Sequence, residues 1–292
     1  MITGAWRKIR DGILNLAYPA QCRLCGEMIE SLDDGVACTG CWDDPEVTRI
    51  IAYPHRTEVS PFDANQQFDE MLTDERPEPR IGRQACCYKC GAWVSSALPR
   101  GAVEQATVSS GGPPNGEVRC GRCDLAPFSF ARCCGAYSGA LEASILLLKV
   151  DPRICRRLKQ IIATAYRMSR AVLTSDLIAP VPLHPGRRRE RGFNQAELIA
   201  GVIAGESGIP MSGSLLLRTK YTERHRAGQD ASERARSVDE AFRVKSPAAV
   251  SGRSVLLVDD LYTTGSTVSA AARELLKSGA ERVNVFTIAR VE

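Results

Sequence analysis

The sequence predicts an α/β protein, a mostly parallel sheet flanked by helices, preceded by a small Cys-rich metal-binding region. Three observations carry this prediction. Apolar runs alternate with amphipathic stretches from Phe128 onward, four Cys-x-x-Cys pairs fall in the part before it, and a continuously apolar run, Val255–Val258, ends in a double acid and a hydroxyl-rich turn.

The alternation places strands at Phe130–Tyr137, Leu177–Pro182, Ser254–Asp259 and Val283–Ala289. Helices are expected at Ala140–Leu148, Ile154–Leu173, Asn194–Ser207 and Thr267–Ser278, the last stopped by Gly279, a residue suited to a left-handed C-cap. The run Val255–Val258 is apolar without alternation, as a strand covered on both faces should be.

A chain of 292 residues is long for one core, so two parts are expected: a Cys-rich region with insertions over 1–125 and an α/β domain over 126–292. The apolar share of 44% and charged share of 25% are those of a soluble globular protein, and a net charge of +4 is too small to argue for a nucleic-acid partner. The best apolar candidate, Ile145–Val150, falls far short of the about 18 residues of a membrane helix, so no membrane span is expected. Residues Trp6–Leu16 carry basic groups, but Asp11 and Asn15 interrupt the apolar stretch an export signal needs, and the segment reads as a short amphipathic helix. A reducing, cytoplasmic setting follows as the expectation.

Of the 12 cysteines, eight form the pairs Cys22/Cys25, Cys38/Cys41, Cys87/Cys90 and Cys120/Cys123. That spacing lets two thiolates reach one tetrahedral ion, so the eight ligands suit two zinc ions. Gly26 and Gly91 follow their knuckles, where a tight bend aims backbone amides at sulfur. Four-cysteine sites are closed, so the role read for zinc is structural. The linkers Asp74–Arg80 and Pro99–Gly116 are rich in Pro, Gly and charge, and the metal is expected to supply stability that sparse apolar residues cannot. Sequential ribbons and an interleaved cross-brace use the same residues; the sequential pairing is favoured. Cys86, Cys133, Cys134 and Cys155 read as small apolar residues.

After the apolar run come Asp259 and Asp260, then Thr263, Thr264, Gly265, Ser266 and Thr267 leading into a helix. Gly265 lets backbone approach a ligand, the helix start offers free amides, and the hydroxyls add donors, which together make a phosphate cradle. Two ionised carboxylates beside it can accept from the hydroxyls of a ribose. The blander reading has Asp260 turning the chain and Thr267 capping a helix. A second segment, Pro180–Gln195, places Arg187, Arg188, Arg189 and Arg191 on a loop after a strand, where planar guanidinium forks suit pyrophosphate or, alternatively, a solvated surface.

The string from Val255 to Thr267 resembles the PRPP-binding signature of type I phosphoribosyltransferases. With the Cys-x-x-Cys array, the arginine segment and Ala241-Phe242, nearly the whole chain resembles the ComF family, competence-associated proteins with a zinc-ribbon N-terminus and a phosphoribosyltransferase domain. The similarity is strongest over 180–195 and 254–289, good over Tyr137–Lys149, and weak between Trp42 and Cys86, where this chain carries extra residues. The inserted segments are 43–85 and 98–118. The tract before Ala241-Phe242 departs from the family pattern of Gln-x-x-Leu followed by Arg and Asn, with Arg226, Gln229, Arg234 and Ser237 in that stretch. Residues His225–Arg236 suit either a flap over the site or an exposed linker.

The resemblance implies a type I phosphoribosyltransferase-like sheet that takes PRPP with Mg²⁺, with transfer of the phosphoribosyl group and release of pyrophosphate as the enzyme reading. Asp259, Asp260 and Arg191 are then the catalytic candidates. Thr263, Thr264, Gly265, Ser266, Thr267, Arg187, Arg188, Arg189 and Lys149 are the substrate-binding ones. Two further readings are a PRPP- or nucleotide-binding regulator without turnover, and an accessory protein of the competence machinery that handles single-stranded DNA. For the last, aromatic platforms are scarce, with Trp42, Tyr88 and Trp93 near the knuckles.

Overall fold

The computed structural model describes residues 20–44, 85–94, 120–121, 123, 125–219 and 241–291. The segment 6–16, the linkers 74–80 and 99–116 and the tract 225–236 lie outside the described residues.

Four strands form the central sheet: β3 (Ala131–Ala136), β4 (Leu177–Pro180), β7 (Ser254–Tyr262) and β8 (Arg282–Arg290). They are parallel throughout and ordered β3-β8-β7-β4. Two short antiparallel pairs accompany it, β1 (Ala85–Cys86) with β2 (Trp93–Val94) and β5 (Leu216–Arg218) with β6 (Phe242–Val244). The helices are α1 (Thr39–Trp42), α2 (Gly139–Leu147), α3 (Arg156–Ser169), α4 (Pro185–Arg191), α5 (Gln195–Ser207) and α6 (Ser266–Lys277). All four expected strands and all four expected helices are present.

The two-residue period of a strand sorts the sheet into two apolar layers. Ile178, Leu256, Val258, Phe286 and Ile288 point to one face and meet Leu141, Ile145, Leu158, Ile162, Ile199 and Ile203 of α2, α3 and α5. Leu177, Ala179, Val255, Leu257, Val283 and Val285 point to the other and meet Val268, Ala271 and Leu275 of α6, with Leu216, Phe242 and Val244 of the β5–β6 pair. Helix α3 is shorter than the expected 154–173 at both ends, with Cys155 as its N-cap and Arg170 as its C-cap.

The Cys-rich segments share these layers. Ile29, Val36, Ala37 and the fully buried Trp42 belong to the α2/α3/α5 layer, whereas Cys87, Cys90 and Cys123 belong to the α6 layer. Each knuckle region therefore draws apolar burial from the sheet domain, one on each face, and does not depend on metal alone. The Nε1–H of Trp42 donates to Asp34 O at 2.9 Å, and Arg156 of α3 donates to Asp34 Oδ1 at 2.7 Å, tying the first knuckle region to α3.

Two expectations are corrected. Strand β7 does not stop at Asp259 but runs to Tyr262, because β8 continues beside it, pairing Leu261 with Ala289 and Tyr262 with Arg290. The arginine segment is a helix rather than a loop. His184 caps α4 by accepting from Gly186 N at 3.2 Å, Pro185 supplies a fixed φ at the first turn, and Gly192 ends it at φ 77°. Among the described residues no helix is long and apolar enough to cross a membrane.

Candidate functional site

Strand β4 ends at Pro180, paired with Val258, so from Asp259 onward β7 has a neighbour on the β8 side and an opening where β4 has stopped. Both acids thus lie at the carboxyl edge of a parallel sheet, where ligands of open α/β folds bind. A cavity of about 260 Å³ fills this corner. Asp259, Asp260, Thr263, Ser266 and Thr267 form one wall, and Lys149, Arg187, Arg191 and Arg218 bring cations to it.

The turn between β7 and α6 is held from within. Thr264 Oγ1 donates to Ser266 Oγ at 3.1 Å, and Ser269 N donates to Gly265 O at 2.8 Å as the first turn of α6 closes. Gly265 has φ 77°, and a Cβ there would come within 2.7 Å of the Tyr262 ring and closer still to its hydroxyl, so glycine is required on both counts. The Asp260 amide donates to Asp259 Oδ1 at 2.9 Å. Burial pushes the Asp259 carboxyl well above the usual carboxylate range; the neighbouring Asp260 adds to this, and Arg218 opposes it.

Helical geometry divides the four arginines. Arg187 and Arg191 are one turn apart on the face of α4 that lines the cavity, half-buried. Arg188 and Arg189 are exposed outside the cavity lining, and Arg188 is engaged by Glu197, with Nη2 3.1 Å from Oε2. Asn194 caps α5 by accepting from Ala196 N at 3.2 Å and donates to Val181 O at 3.0 Å, which locks the helix start to the end of β4.

The eight paired cysteines gather into two groups, Cys22/Cys25/Cys38/Cys41 and Cys87/Cys90/Cys120/Cys123, in each of which all four Sγ atoms lie within 4.8 Å of one another. This is the sequential pairing. A tetrahedral tetrathiolate with Zn–S near 2.3 Å needs sulfurs about 3.8 Å apart. Cys25–Cys38 and Cys90–Cys120 are at 3.6 Å and Cys120–Cys123 at 3.4 Å, so the donor set fits such an ion. Gly26 and Gly91 have φ of 78° and 70°, and the amides of Leu24 and Cys120 donate to the sulfurs of Cys22 and Cys87 at 3.4 and 3.3 Å. Hydrogen bonding from Cys120 pulls the Cys90 thiol down to about 6 while the same neighbour pushes Cys123 up: crowded thiols cannot all ionise unless a cation balances them. Cys133 and Cys134 are buried in the sheet as apolar residues, and burial raises both thiols, Cys133 to about 11.

The phosphoribosyl transferase domain family matches residues 206–291. Competence protein F of Haemophilus influenzae is 34% identical over 142 residues, 48% of this chain and 61% of its own length. The DNA utilization protein YhgH of Escherichia coli O157:H7 is 32% identical over 221 residues, covering 70% of this chain and 96% of that protein. The chain belongs to the ComF family. Among solved structures, the glutamine PRPP amidotransferase from B. subtilis complexed with ADP and GMP overlays at a TM-score of 0.31 and 22% identity, over 44% of this chain and 25% of its own, too slight a match to place any residue.

In this ComF-family chain the cavity unites Lys149, Arg187, Arg191, Asp259, Asp260, Thr263, Ser266 and Thr267 of the sequence-derived candidates, and leaves Arg188, Arg189, Thr264 and Gly265 out of its lining. Among the lining residues that sequence reasoning does not single out are Arg218 and Gln195. Arg218 comes from β5, a three-residue strand whose partner β6 begins at Phe242, so nothing local to it signals a site. Gln195 opens α5, is buried, and its Nε2 has no hydrogen-bond partner. A buried amide donor left unpaired costs about 1–3 kcal/mol, so its place in the cavity wall is a signal only tertiary structure exposes.

Proposed function

We propose that this chain binds PRPP with Mg²⁺ in the cavity at the end of β7 and acts as a phosphoribosyltransferase-like protein associated with DNA uptake in the cytoplasm. One observation carries the reading: Asp259 and Asp260 share a cavity with the start of α6 and with Lys149, Arg187 and Arg191, so that a sugar, a 5′-phosphate and a pyrophosphate each meet complementary groups. The carboxylates accept from the ribose hydroxyls. The hydroxyls of Thr263, Ser266 and Thr267, with the amides at the start of α6, hold the 5′-phosphate, and Arg187, Arg191 and Lys149 neutralise charge on the departing pyrophosphate. Bound Mg²⁺ would offset phosphate charge through oxygen ligands, with Asp259 and Asp260 the carboxylates at hand. Arg191, one turn from Arg187, is the cation we assign to the leaving group.

The Cys-rich part, 1–125, holds two structural zinc ions in its four-cysteine clusters and clamps both faces of the phosphoribosyltransferase-like part, 126–292. The DNA-uptake association comes from relatives named for competence and DNA utilization. A surface that stacks single-stranded DNA is less favoured, since Trp42 is buried at 1% exposure and Tyr88 is half-buried with its ring packed edge to face on Phe130 at 5.2 Å.

Calorimetric titration with PRPP and Mg²⁺ tests the reading. Wild type should bind and the Asp259→Asn/Asp260→Asn double variant should not; a wild type that fails to bind removes the PRPP assignment. Exchange of labelled pyrophosphate into PRPP with candidate acceptors separates a transferase from a binding protein without turnover.

A further inference from the structure

Tyr262 closes β7 at the base of the phosphate turn, and its hydroxyl occupies the space a side chain at Gly265 would need. The ring is in turn held from two sides. The Arg290 guanidinium lies over it, 4.6 Å from the ring centroid, and Phe128 meets it edge to face at 6.3 Å and 83°. Both supports lead to the second four-cysteine cluster. Arg290 Nη1 donates to the carbonyl of Cys90 at 2.5 Å, and Lys89, between Cys87 and Cys90, sits 5.4 Å from the Phe128 centroid and donates to Ala126 O at 2.6 Å.

Arg290 and Arg132 are 4% and 3% exposed, too buried to hold their charge without compensation. Arg132 donates to the carbonyls of Lys89 and Tyr88 at 3.2 Å each, so the two guanidiniums grip the same knuckle. Four thiolates around one divalent ion leave a double negative charge, which matches the two arginines. The first four-cysteine cluster lies in the layer on the opposite face of the sheet, away from Tyr262.

We propose that Arg290 and Tyr262 are positioning residues through which the metal-bound second four-cysteine cluster sets the geometry of the phosphate turn. The loaded knuckle fixes Cys90 O, Cys90 O fixes Arg290, and Arg290 holds the Tyr262 ring under Gly265. An ordered turn then presents its amides to a phosphate without a further ordering cost. The metal acts on ligand binding by this contact path, in addition to its part in folding. The affinity arm of the test rests on the PRPP reading; the coupling itself does not.

The test uses the full zinc-loaded chain as wild type, Arg290→Met, Tyr262→Leu and, as a control that removes the buried guanidinium held by the Tyr88 and Lys89 carbonyls and leaves the Cys90–Arg290–Tyr262 path intact, Arg132→Met. Zinc content and melting temperature are recorded for each, amide hydrogen exchange is followed over 263–268, and PRPP with Mg²⁺ is titrated by calorimetry. Arg290→Met and Tyr262→Leu should keep both zinc ions, speed exchange in 263–268 at least fivefold and weaken PRPP at least fivefold, with Arg132→Met within twofold of wild type on both readouts. Unchanged exchange in a folded, zinc-replete Arg290→Met or Tyr262→Leu chain overturns the proposal, as does an Arg132→Met effect as large as theirs. Two perturbing variants are included so that one that fails to fold leaves the other to decide. If wild type does not bind PRPP, the ligand assignment falls and the exchange arm still decides the coupling.

Discussion

Gly265→Ala, set against Gly192→Ala, tests whether the phosphate turn is braced by Tyr262. Both glycines have φ 77° and both cap a helix end, so alanine at either meets the same backbone penalty, about 1–2 kcal/mol for a left-handed residue. Their surroundings differ. At Gly192 an added Cβ meets nothing within 4 Å, whereas at Gly265 it meets Tyr262 Cζ at 2.7 Å and Cε2 at 3.2 Å, with the hydroxyl nearer still. Tyr262 is 6% exposed, wedged between Arg290 and Phe128, so it cannot swing aside cheaply. Overpacking of this kind adds about 1–3 kcal/mol. Thermal unfolding of the zinc-loaded protein should therefore show Gly265→Ala melting several degrees below Gly192→Ala, at about 2–4 °C per kcal/mol for a domain of this size. PRPP affinity should fall in Gly265→Ala and hold in Gly192→Ala. Equal melting temperatures would show that Tyr262 yields freely and that the turn is not braced.

Replacing Asp259 by Asn should raise the melting temperature of the ligand-free protein at pH 7 while PRPP binding is lost. The carboxyl is raised in the fold, so the folded state holds a proton the unfolded state releases, and stability falls as pH rises from the usual carboxylate value through the raised one; the advantage of Asn over Asp should accordingly shrink toward pH 4 in a series of melts. Arg187→Ala and Arg191→Ala should each weaken PRPP about tenfold or more, the worth of a charge-assisted hydrogen bond, whereas Arg189→Ala, outside the cavity lining, should change it less than twofold by calorimetry. Gln195→Leu should stabilise the ligand-free chain by removing an unpaired buried donor yet weaken binding, read by paired melts and titrations. Metal analysis should give two zinc ions per chain, and stripping them with a strong chelator should lower the melting temperature; a value well under two refutes the double-site assignment.

Much of this was legible in the residues because the signals are local. A strand covered on both faces must be continuously apolar, so Val255–Val258 announces itself, and the four sheet strands and their helices follow from the same periodicity. Chelation needs closely spaced thiols, so the Cys-x-x-Cys pairs name their ligands without a structure. Acids and hydroxyls at 259–267 lie within a few residues of one another, and their neighbourhood in the chain is their neighbourhood in space.

What the chain could not disclose was every feature set by elements far apart in sequence. The acids face an opening because β4 stops at Pro180 while β8 carries β7 on to Tyr262, a matter of relative strand length. Winding the arginines into α4 turned Arg187 and Arg191 toward the cavity and left Arg188 to Glu197, and a run of like residues carries no mark of that division. Arg218 and Gln195 reach the cavity, and Arg290 reaches Cys90 across 200 positions, through packing of whole layers. Periodicity and spacing describe interactions a few residues long; which distant side chains meet is decided by how the layers close on one another, and that exists only in the folded chain.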